Sequence, residues 1–304
     1  MTNLNSKIEW TDATWNPTSG CDKVSPGCDN CYAEAITERF HGKGSFSDVK
    51  LHEDRLDIPL KWRKPRRVFV NSMSDLFHDS VPDEFIARVW AVMAATPDYT
   101  YQILTKRHGR MRSLLSSPEF RTDVNGRYGW IIDRDGMDVV PDRPWPLSNI
   151  WGGVSVEDQK RADLRIPALM DTPLAVRFLS CEPLIGPVNL TGRGWLPVSE
   201  NDPDPDAECV TCGTEEFSDQ RGHPVVHRCG SRHSDPCEVD PKGDCRLEGA
   251  EAGAWCDGPI RSYPRIDWCI VGGESGRHAR PMSLEWVSSL VSQCREAKVS
   301  CFVK

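Results

Sequence analysis

The sequence contains no long apolar run. No segment approaches the roughly 20 apolar residues that a helix needs to cross a bilayer, and residues 1–10 are polar, without the apolar core of a signal peptide. We therefore expect a cytoplasmic protein that does not bind membranes. With 304 residues, of which 38% are hydrophobic and 27% charged, the composition is typical of a globular protein with a sizeable core.

The chain also lacks a positive net charge. Its formal charge is −8 at pH 7, whereas a protein that binds nucleic acid irrespective of sequence is normally basic. Any contact with DNA or RNA must therefore come from a local patch. The basic runs at residues 61–67 and 106–110 could form one, but such runs are more often a solvated surface, and we favour that interpretation.

Cysteine, in contrast, is abundant, with 13 residues. In a reducing compartment so many cysteines indicate metal binding or catalysis rather than disulfides. Three lie near the N-terminus, six lie between residues 209 and 256, and four are scattered. Among the scattered ones, Cys269 and Cys294 fall in apolar patterns and are predicted to be small buried side chains.

Short apolar runs that end in polar residues or glycine recur along the chain. Such runs are typical of buried parallel strands, and helical patterns at 31–40, 83–95, 158–170 and 283–297 lie between them. The alternation predicts βαβ units and a parallel sheet of about six repeats, with 300–303 as a final strand. The six predicted strands lie at residues 13–16, 67–71, 99–104, 149–154, 174–179 and 266–271.

Polar side chains follow five of the predicted strands. In a barrel of parallel strands the carboxyl ends share one rim, and active sites lie there. Each of these residues could instead cap the following helix, but five at equivalent positions favour a shared site. The residues are Asp75, Lys106, Glu157, Glu182 and Glu274.

This alternation breaks off between about residues 195 and 263. The stretch is rich in Asp, Gly, Pro and Cys and begins with an acidic, proline-containing linker at 200–206. We interpret it as a Cys-rich insertion into a barrel domain made of residues 1–194 and 264–304. A second, smaller irregular insertion is predicted at 121–147.

The N-terminal cysteines have the spacing C-x6-C-x2-C, in a loop directly after the first predicted strand. Three thiolates can hold three irons of a 4Fe–4S cluster and leave the fourth iron open to a small molecule. The alternative is zinc, which needs four ligands in a structural site, and the nearest further candidates are His41 and His52. The cluster ligands would be Cys21, Cys28 and Cys31.

Several segments carry a family resemblance. They are WTDATWNP (10–17), NPxxGC (16–21), CxxCYA (28–33), SMSDLF (72–77), LTKR (104–107), LSCEP (179–183) and GGESG (272–276). They resemble the radical S-adenosylmethionine enzymes, in particular the branch related to spore photoproduct lyase, and a family of phage and bacterial proteins labelled as a domain of unknown function. The resemblance implies an α/β fold with a partial (β/α)6 barrel of TIM type, in agreement with the strand count, and further residues after Lys304.

The same resemblance implies a mechanism. A flavodoxin- or ferredoxin-type donor reduces the cluster, S-adenosylmethionine is cleaved, and the resulting 5′-deoxyadenosyl radical takes a hydrogen atom from the substrate. Most such enzymes have a shorter spacing between the first two cysteines and Gly-Gly-Glu after the second strand, where this chain has residues 71–75. The implied cofactor-binding residues are Tyr32, Ser72, Asp75, Ser155, Glu157, Gly272, Gly273 and Glu274.

The candidate catalytic residues are Cys181, Glu182 and Lys106. Cys181 ends the fifth predicted strand, and a thiol there could return a hydrogen atom to a substrate radical. The alternative is a small buried residue in a turn, which we favour because free cysteines are commonly buried.

The second cysteine group has a zinc-like spacing. Cys209, Cys212, His223 and His227 approximate a two-Cys, two-His site, and Cys229 offers a competing ligand. Zinc is favoured over a second iron–sulfur cluster, because this short, acidic segment has little apolar content and a metal would supply its folding energy. The alternative is a metal-free, disordered insertion.

Three functions remain open from the sequence. The first is a radical enzyme that modifies or repairs a nucleic-acid base or nucleotide, which the family resemblance favours. The second is a radical enzyme acting on a small metabolite or peptide, which suits the acidic charge better. The third is a non-enzymatic zinc or iron–sulfur module that binds nucleic acid. Fold alone does not decide among them.

Overall fold

The main structural element is a seven-stranded parallel sheet. The computed structural model describes residues 4–132, 143–197, 265–276 and 278–304, and, within the region left out between them, the backbone of four two-residue strands from 208 to 261. The spatial order of the strands equals their order along the chain. The strands are β1 (Ala13–Trp15), β2 (Arg67–Val70), β3 (Thr100–Thr105), β4 (Ile150–Ser155), β5 (Val176–Cys181), β6 (Trp268–Val271) and β7 (Ser300–Val303).

This order explains why the sheet curls into a half-barrel. Each connection steps to the next neighbour in the same direction, whereas a doubly wound sheet reverses direction. Right-handed crossovers that always step one way place the helices on one face, and the sheet curves around the other. The predicted parallel α/β sheet is confirmed, and its seventh strand is the one predicted at 300–303.

Six helices flank the sheet in the described part of the chain. They are α1 (Tyr32–His41), α2 (Asp83–Ala94), α3 (His108–Leu115), α4 (Pro118–Ile132), α5 (Gln159–Met170) and α6 (Leu284–Glu296). The start of α5 is fixed by Asp158, whose carboxylate accepts the Arg161 N–H. Ser283 caps α6 in the same way through the Glu285 N–H. These caps set where the loops from β4 and β6 end.

The two faces of the sheet have different neighbours. The helix-facing side chains, such as Leu179 and Cys181, belong to the large apolar core beneath the helices. The concave side holds a smaller cluster that includes Phe69 and Phe178. Because side chains alternate along a strand, Ser180 belongs to the same face as Phe178.

Helix α4 corrects one prediction. Residues 121–147 are predicted to be an irregular insertion, and Asn125-Gly126 within them is a turn signal. Phe120, Val124 and Tyr128 recur at every fourth position and are all buried, so the helix is stabilised by burial of this stripe against α2. Packing outweighs the local turn preference here.

The chain divides into two compact units, residues 1–196 with 266–304, and residues 197–265. In the second unit, strand Glu208–Cys209 pairs with Ile260–Arg261, and Glu238–Val239 pairs with Cys245–Arg246, both antiparallel. The side chains of the predicted zinc ligands lie outside the described residues: Cys209, Cys212, His223, His227 and Cys229.

No helix of the described residues is long and apolar enough to cross a membrane.

Candidate functional site

The three N-terminal cysteines line one cavity at the carboxyl ends of the strands. Cys21, Cys28 and Cys31 lie in the loop between β1 and α1, and all three are half-buried free thiols. The cavity, with the solvent space at its open mouth included, measures about 720 Å³. Residues from the ends of β2, β3 and β4 complete its wall, among them Ser72, Asp75, Lys106 and Ser155.

The first part of the cysteine loop depends on a glycine. Gly20 has φ +88°, and a Cβ there would lie 2.5 Å from the Asp48 carbonyl oxygen. Only glycine adopts this positive φ without strain and has no Cβ to collide with that carbonyl oxygen. The Cys21 N–H then donates to the Phe46 carbonyl at 2.8 Å, which fixes the first thiol, while Cys31 is the N-cap residue of α1.

A buried glutamate holds the middle of the loop. Glu157, after β4, is fully buried, and its Oε2 accepts from Arg165 Nη1 at 2.8 Å. Its other oxygen accepts from the Ser25 hydroxyl. A Cβ on Gly27 would collide with this carboxylate. The glutamate therefore packs directly against the backbone between the first two cysteines.

A second glutamate holds the last part of the loop. Glu274, after β6, accepts from Arg280 Nε at 3.0 Å, Arg280 Nη2 at 2.6 Å and Asn30 Nδ2 at 2.8 Å. Arg280 also donates to the Pro26 carbonyl at 2.7 Å and to Asp29 at 3.1 Å. These bonds, chiefly those from Arg280, lower the pKa of Glu274 to about 2. The carboxylate is therefore charged at neutral pH.

Asp75 is engaged within the protein. Its carboxylate accepts from the Thr105 hydroxyl at 2.8 and 2.9 Å, from the Phe77 N–H at 3.0 Å and from the Lys106 N–H at 3.0 Å. Arg107 adds an ion pair at 3.4 Å. These contacts tie the ends of β2 and β3 together, so they account for Asp75 without a ligand.

Arg107 brings a positive charge to the first cysteine. Its Nη1 lies 3.4 Å from Cys21 Sγ, and its side chain is only 10% exposed. Burial, assisted by the negative charge of Asp75, raises the pKa of the Cys21 thiol to about 11, while Arg107 opposes the shift. Arg107 therefore lies where it would stabilise a thiolate ligand.

A second cavity of about 1120 Å³ continues from the first. The two share seven residues of their walls, so they form one cleft: Gly27, Cys31, Tyr32, Phe69, Leu104, Lys106 and Ser155. At the junction, Lys106 Nζ donates to Ser155 Oγ at 3.1 Å. The second cavity extends to Ser180, Glu182, Gly273 and Lys304 at the ends of β5, β6 and β7.

The structure brings most of the predicted site residues to this cleft, but not Cys181. Cys181 is fully buried on the helix-facing side, and burial raises its thiol pKa far above the usual range. Glu182 lines the second cavity and accepts from Lys304 at 2.7 Å. Of the two predicted glycines, Gly273 lines that cavity, whereas Gly272 is buried beside the Glu182 side chain.

Tyr32 and Ser72 lie together on the wall of the first cavity. The Tyr32 hydroxyl donates to the Ser72 carbonyl. The Ser72 hydroxyl and the buried Asn16 amide are in hydrogen-bond contact at 3.2 Å. The segment after β2 is therefore held to the end of β1 and to the start of α1.

Sequence reasoning missed three residues of the site: Asn71, Arg107 and Arg280. Arg107 follows Lys106 in a run predicted to be a solvated surface, an interpretation that the structure corrects. Arg280 lies in a segment without a periodic pattern. Asn71 has φ +61°, a conformation for which asparagine is enriched but which cannot be read reliably from a single sequence.

Asn71, on the wall of the first cavity, has a side-chain acceptor that no described residue satisfies. The residue lines that cavity and is 3% exposed. Its Nδ2 donates to Thr18 Oγ1 at 2.7 Å, but its Oδ1 has no partner among the described residues. A buried acceptor without a donor is costly. An ammonium group of a ligand bound beside the cysteines would satisfy it, so this atom fits the methionine end of S-adenosylmethionine.

The cysteine geometry bears on the kind of metal centre. Among the residues that the structure describes, no three His, Cys, Asp or Glu side chains are gathered as ligands of one metal ion. A cluster needs a different arrangement from a single ion, because each thiolate binds its own iron. The three thiols share one cavity wall, and the Arg107 guanidinium lies beside the first of them.

Residues 5–304 match the family described as "Protein of unknown function (DUF5131)". The chain belongs to DUF5131. No curated protein matches the chain, and no solved structure matches it. The family description assigns no activity, so the chemistry of this DUF5131 protein rests on the residues of its cleft.

Proposed function

We propose that this DUF5131 protein is a radical S-adenosylmethionine enzyme with a 4Fe–4S cluster on Cys21, Cys28 and Cys31. The observation that carries the proposal is their shared position in one cavity at the carboxyl ends of a parallel half-barrel. Three thiol ligands leave one iron open to the cofactor. The resemblance to the spore photoproduct lyase branch supports a nucleic-acid base or nucleotide as the substrate.

Cys21, Cys28 and Cys31 would hold the cluster, which would supply the electron for reductive cleavage of S-adenosylmethionine. The chain supplies position and charge. Glu157 and Glu274 fix the loop that presents the thiols. Arg107 would stabilise negative charge on Cys21, and Asn71 Oδ1 would be an acceptor for the cofactor's ammonium group.

Metal content and electron paramagnetic resonance test the proposed centre. Protein reconstituted with iron and sulfide under anaerobic conditions is expected to hold about four irons per chain and to give a cluster signal after reduction. Addition of S-adenosylmethionine is expected to change that signal, because the cofactor binds the open iron.

Two cysteine variants make this test specific. Cys28→Ala removes a proposed ligand and is expected to lose the cofactor-responsive signal. Cys301→Ala, which removes a thiol from β7 outside the cleft, should keep it. Zinc in place of iron, or a signal indifferent to the cofactor, would contradict the proposal and favour a metal-stabilised binding module.

A further inference from the structure

Lys106 is exceptional among the cations of the cleft. The other three each have a carboxylate partner: Lys23 pairs with Glu34 at 2.9 Å, Arg107 with Asp75 at 3.4 Å and Lys304 with Glu182 at 2.7 Å. No carboxylate of the described residues lies within ion-pair distance of Lys106, although its ammonium lies at the junction of the two cavities.

The position of this ammonium is unfavourable without a ligand. Lys106 is half-buried, so its charge is partly removed from water. One hydrogen bond goes to Ser155 Oγ at 3.1 Å, and an ammonium carries three N–H groups. Two of its three donors therefore have no partner among the described residues.

Neighbouring residues extend the hydrogen-bonding surface. Ser155 and Ser180 are register partners on the adjacent strands β4 and β5, and both line the second cavity together with Lys106. Hydroxyl groups beside an ammonium are typical donors to an anion. Apolar side chains of Ile8, Trp10, Phe69 and Leu104 line the same cavity.

We propose that Lys106, Ser155 and Ser180 form a binding site for an anionic group of the substrate, a phosphate or a carboxylate, and that the apolar wall receives its uncharged part. This assignment deepens the proposed function and rests on it, because it takes the cofactor's amino and carboxylate groups to be held at the open iron. Ser180 lines the second cavity but not the first, so an anion held by all three residues lies on the side of the cleft away from Cys21 and Cys28.

Inorganic phosphate is the probe for this site. The full-length chain without cluster is titrated with phosphate, and binding is followed by the 31P line width. Wild type is expected to bind saturably, and Lys106→Gln should raise the Kd about tenfold or more, because it removes a charge-assisted hydrogen bond. Lys106→Arg should bind like wild type. Lys64→Gln, which removes an exposed lysine of the 61–67 run, should also leave the Kd unchanged.

S-adenosylmethionine distinguishes the two sources of the anion. In reconstituted protein, cofactor affinity is measured from the change in the electron paramagnetic resonance signal. The substrate assignment predicts equal cofactor affinity in wild type and Lys106→Gln. A weaker affinity in the variant would assign Lys106 to the cofactor's carboxylate and overturn the proposal.

Three phosphate results would also overturn it: no saturable binding by wild type, an unchanged Kd in Lys106→Gln, or an equal loss in Lys64→Gln. Failure of the proposed function has a different signature. The reconstituted protein would then not respond to S-adenosylmethionine, although phosphate binding would still depend on Lys106. This result would contradict the radical chemistry and would still support the anion site.

Discussion

At the scale of single residues, two glutamates determine how the cysteine loop is held. Glu157 reaches it from the end of β4 and Glu274 from the end of β6, and each is paired with an arginine. Pairing matters because a buried carboxylate without a cation is strongly destabilising. The loop that carries the three cysteines is thus fixed to two separate strands.

The lowered pKa of Glu274 gives a pH prediction. Because the folded value of about 2 lies below the ordinary 4.5, the carboxylate stabilises the fold fully above pH 4.5, and this contribution is lost as the pH falls towards 2. Glu274→Gln removes it. Urea unfolding should therefore show a steeper loss of stability between pH 4.5 and 2 in wild type than in Glu274→Gln.

A matched variant controls for the loss of a carboxylate. Glu296→Gln changes an exposed glutamate at the end of α6 and should keep the wild-type slope. Equal slopes for wild type and Glu274→Gln would show that the ion pair with Arg280 does not contribute to the folded state.

Sequence reasoning placed residues better than it assigned their roles. Ser72, Lys106 and Ser155 follow strands, and the structure brings them to one cleft. Asp75 and Glu157 also follow strands, but their oxygens are engaged by the protein itself. Their partners come from other segments, so a single sequence does not reveal them. Cys181 is buried, as the favoured interpretation predicted, because successive side chains of a strand alternate between the two faces.

At the scale of elements, the strands were predictable because each is a short apolar run with an abrupt polar end. The predicted and observed bounds of β2 differ by one residue, and those of β7 agree. Helices α3 and α4 were not predicted. Basic residues obscure the apolar pattern of α3, and Asn125-Gly126 interrupts that of α4. The stability of α4 comes from burial of its apolar stripe.

Two aromatic residues of α4 test this explanation. Phe120 is 5% exposed and Trp130 is 79% exposed. Phe120→Ala should lower the free energy of unfolding by about 3 kcal/mol or more, whereas Trp130→Ala should change it by less than about 0.5 kcal/mol. Urea titrations of both variants give the comparison. Similar small losses would mean that α4 is not held by its buried stripe.

At the scale of the whole molecule, the single-direction winding of the sheet is what makes one cleft possible. All seven parallel strands end at the same edge, so segments far apart in sequence, such as Ser72, Ser155 and Glu274, reach a common site. The second compact unit enters the chain between β5 and β6. On either side of it, the Ile266 N–H donates to the Trp195 carbonyl at 2.9 Å.

That hydrogen bond predicts that the second unit can be removed. The two ends of the segment, at Trp195 and Ile266, lie next to each other. A short Gly/Ser linker in place of residues 198–264 therefore spans the gap with a small entropic cost of loop closure. The shortened protein should unfold cooperatively and bind as much iron as the full chain. An insoluble product, or loss of the cooperative transition in circular dichroism, would mean that the half-barrel depends on the second unit.

Formation of 5′-deoxyadenosine tests the central claim most directly. Anaerobic, reconstituted protein is reduced with dithionite and given S-adenosylmethionine, and the nucleoside is measured by chromatography. Wild type and Cys301→Ala should produce it, and Cys28→Ala should not. A wild-type protein that is fully loaded with iron and yields none, or a Cys28→Ala variant that yields as much as wild type, would contradict radical chemistry at the three-cysteine loop.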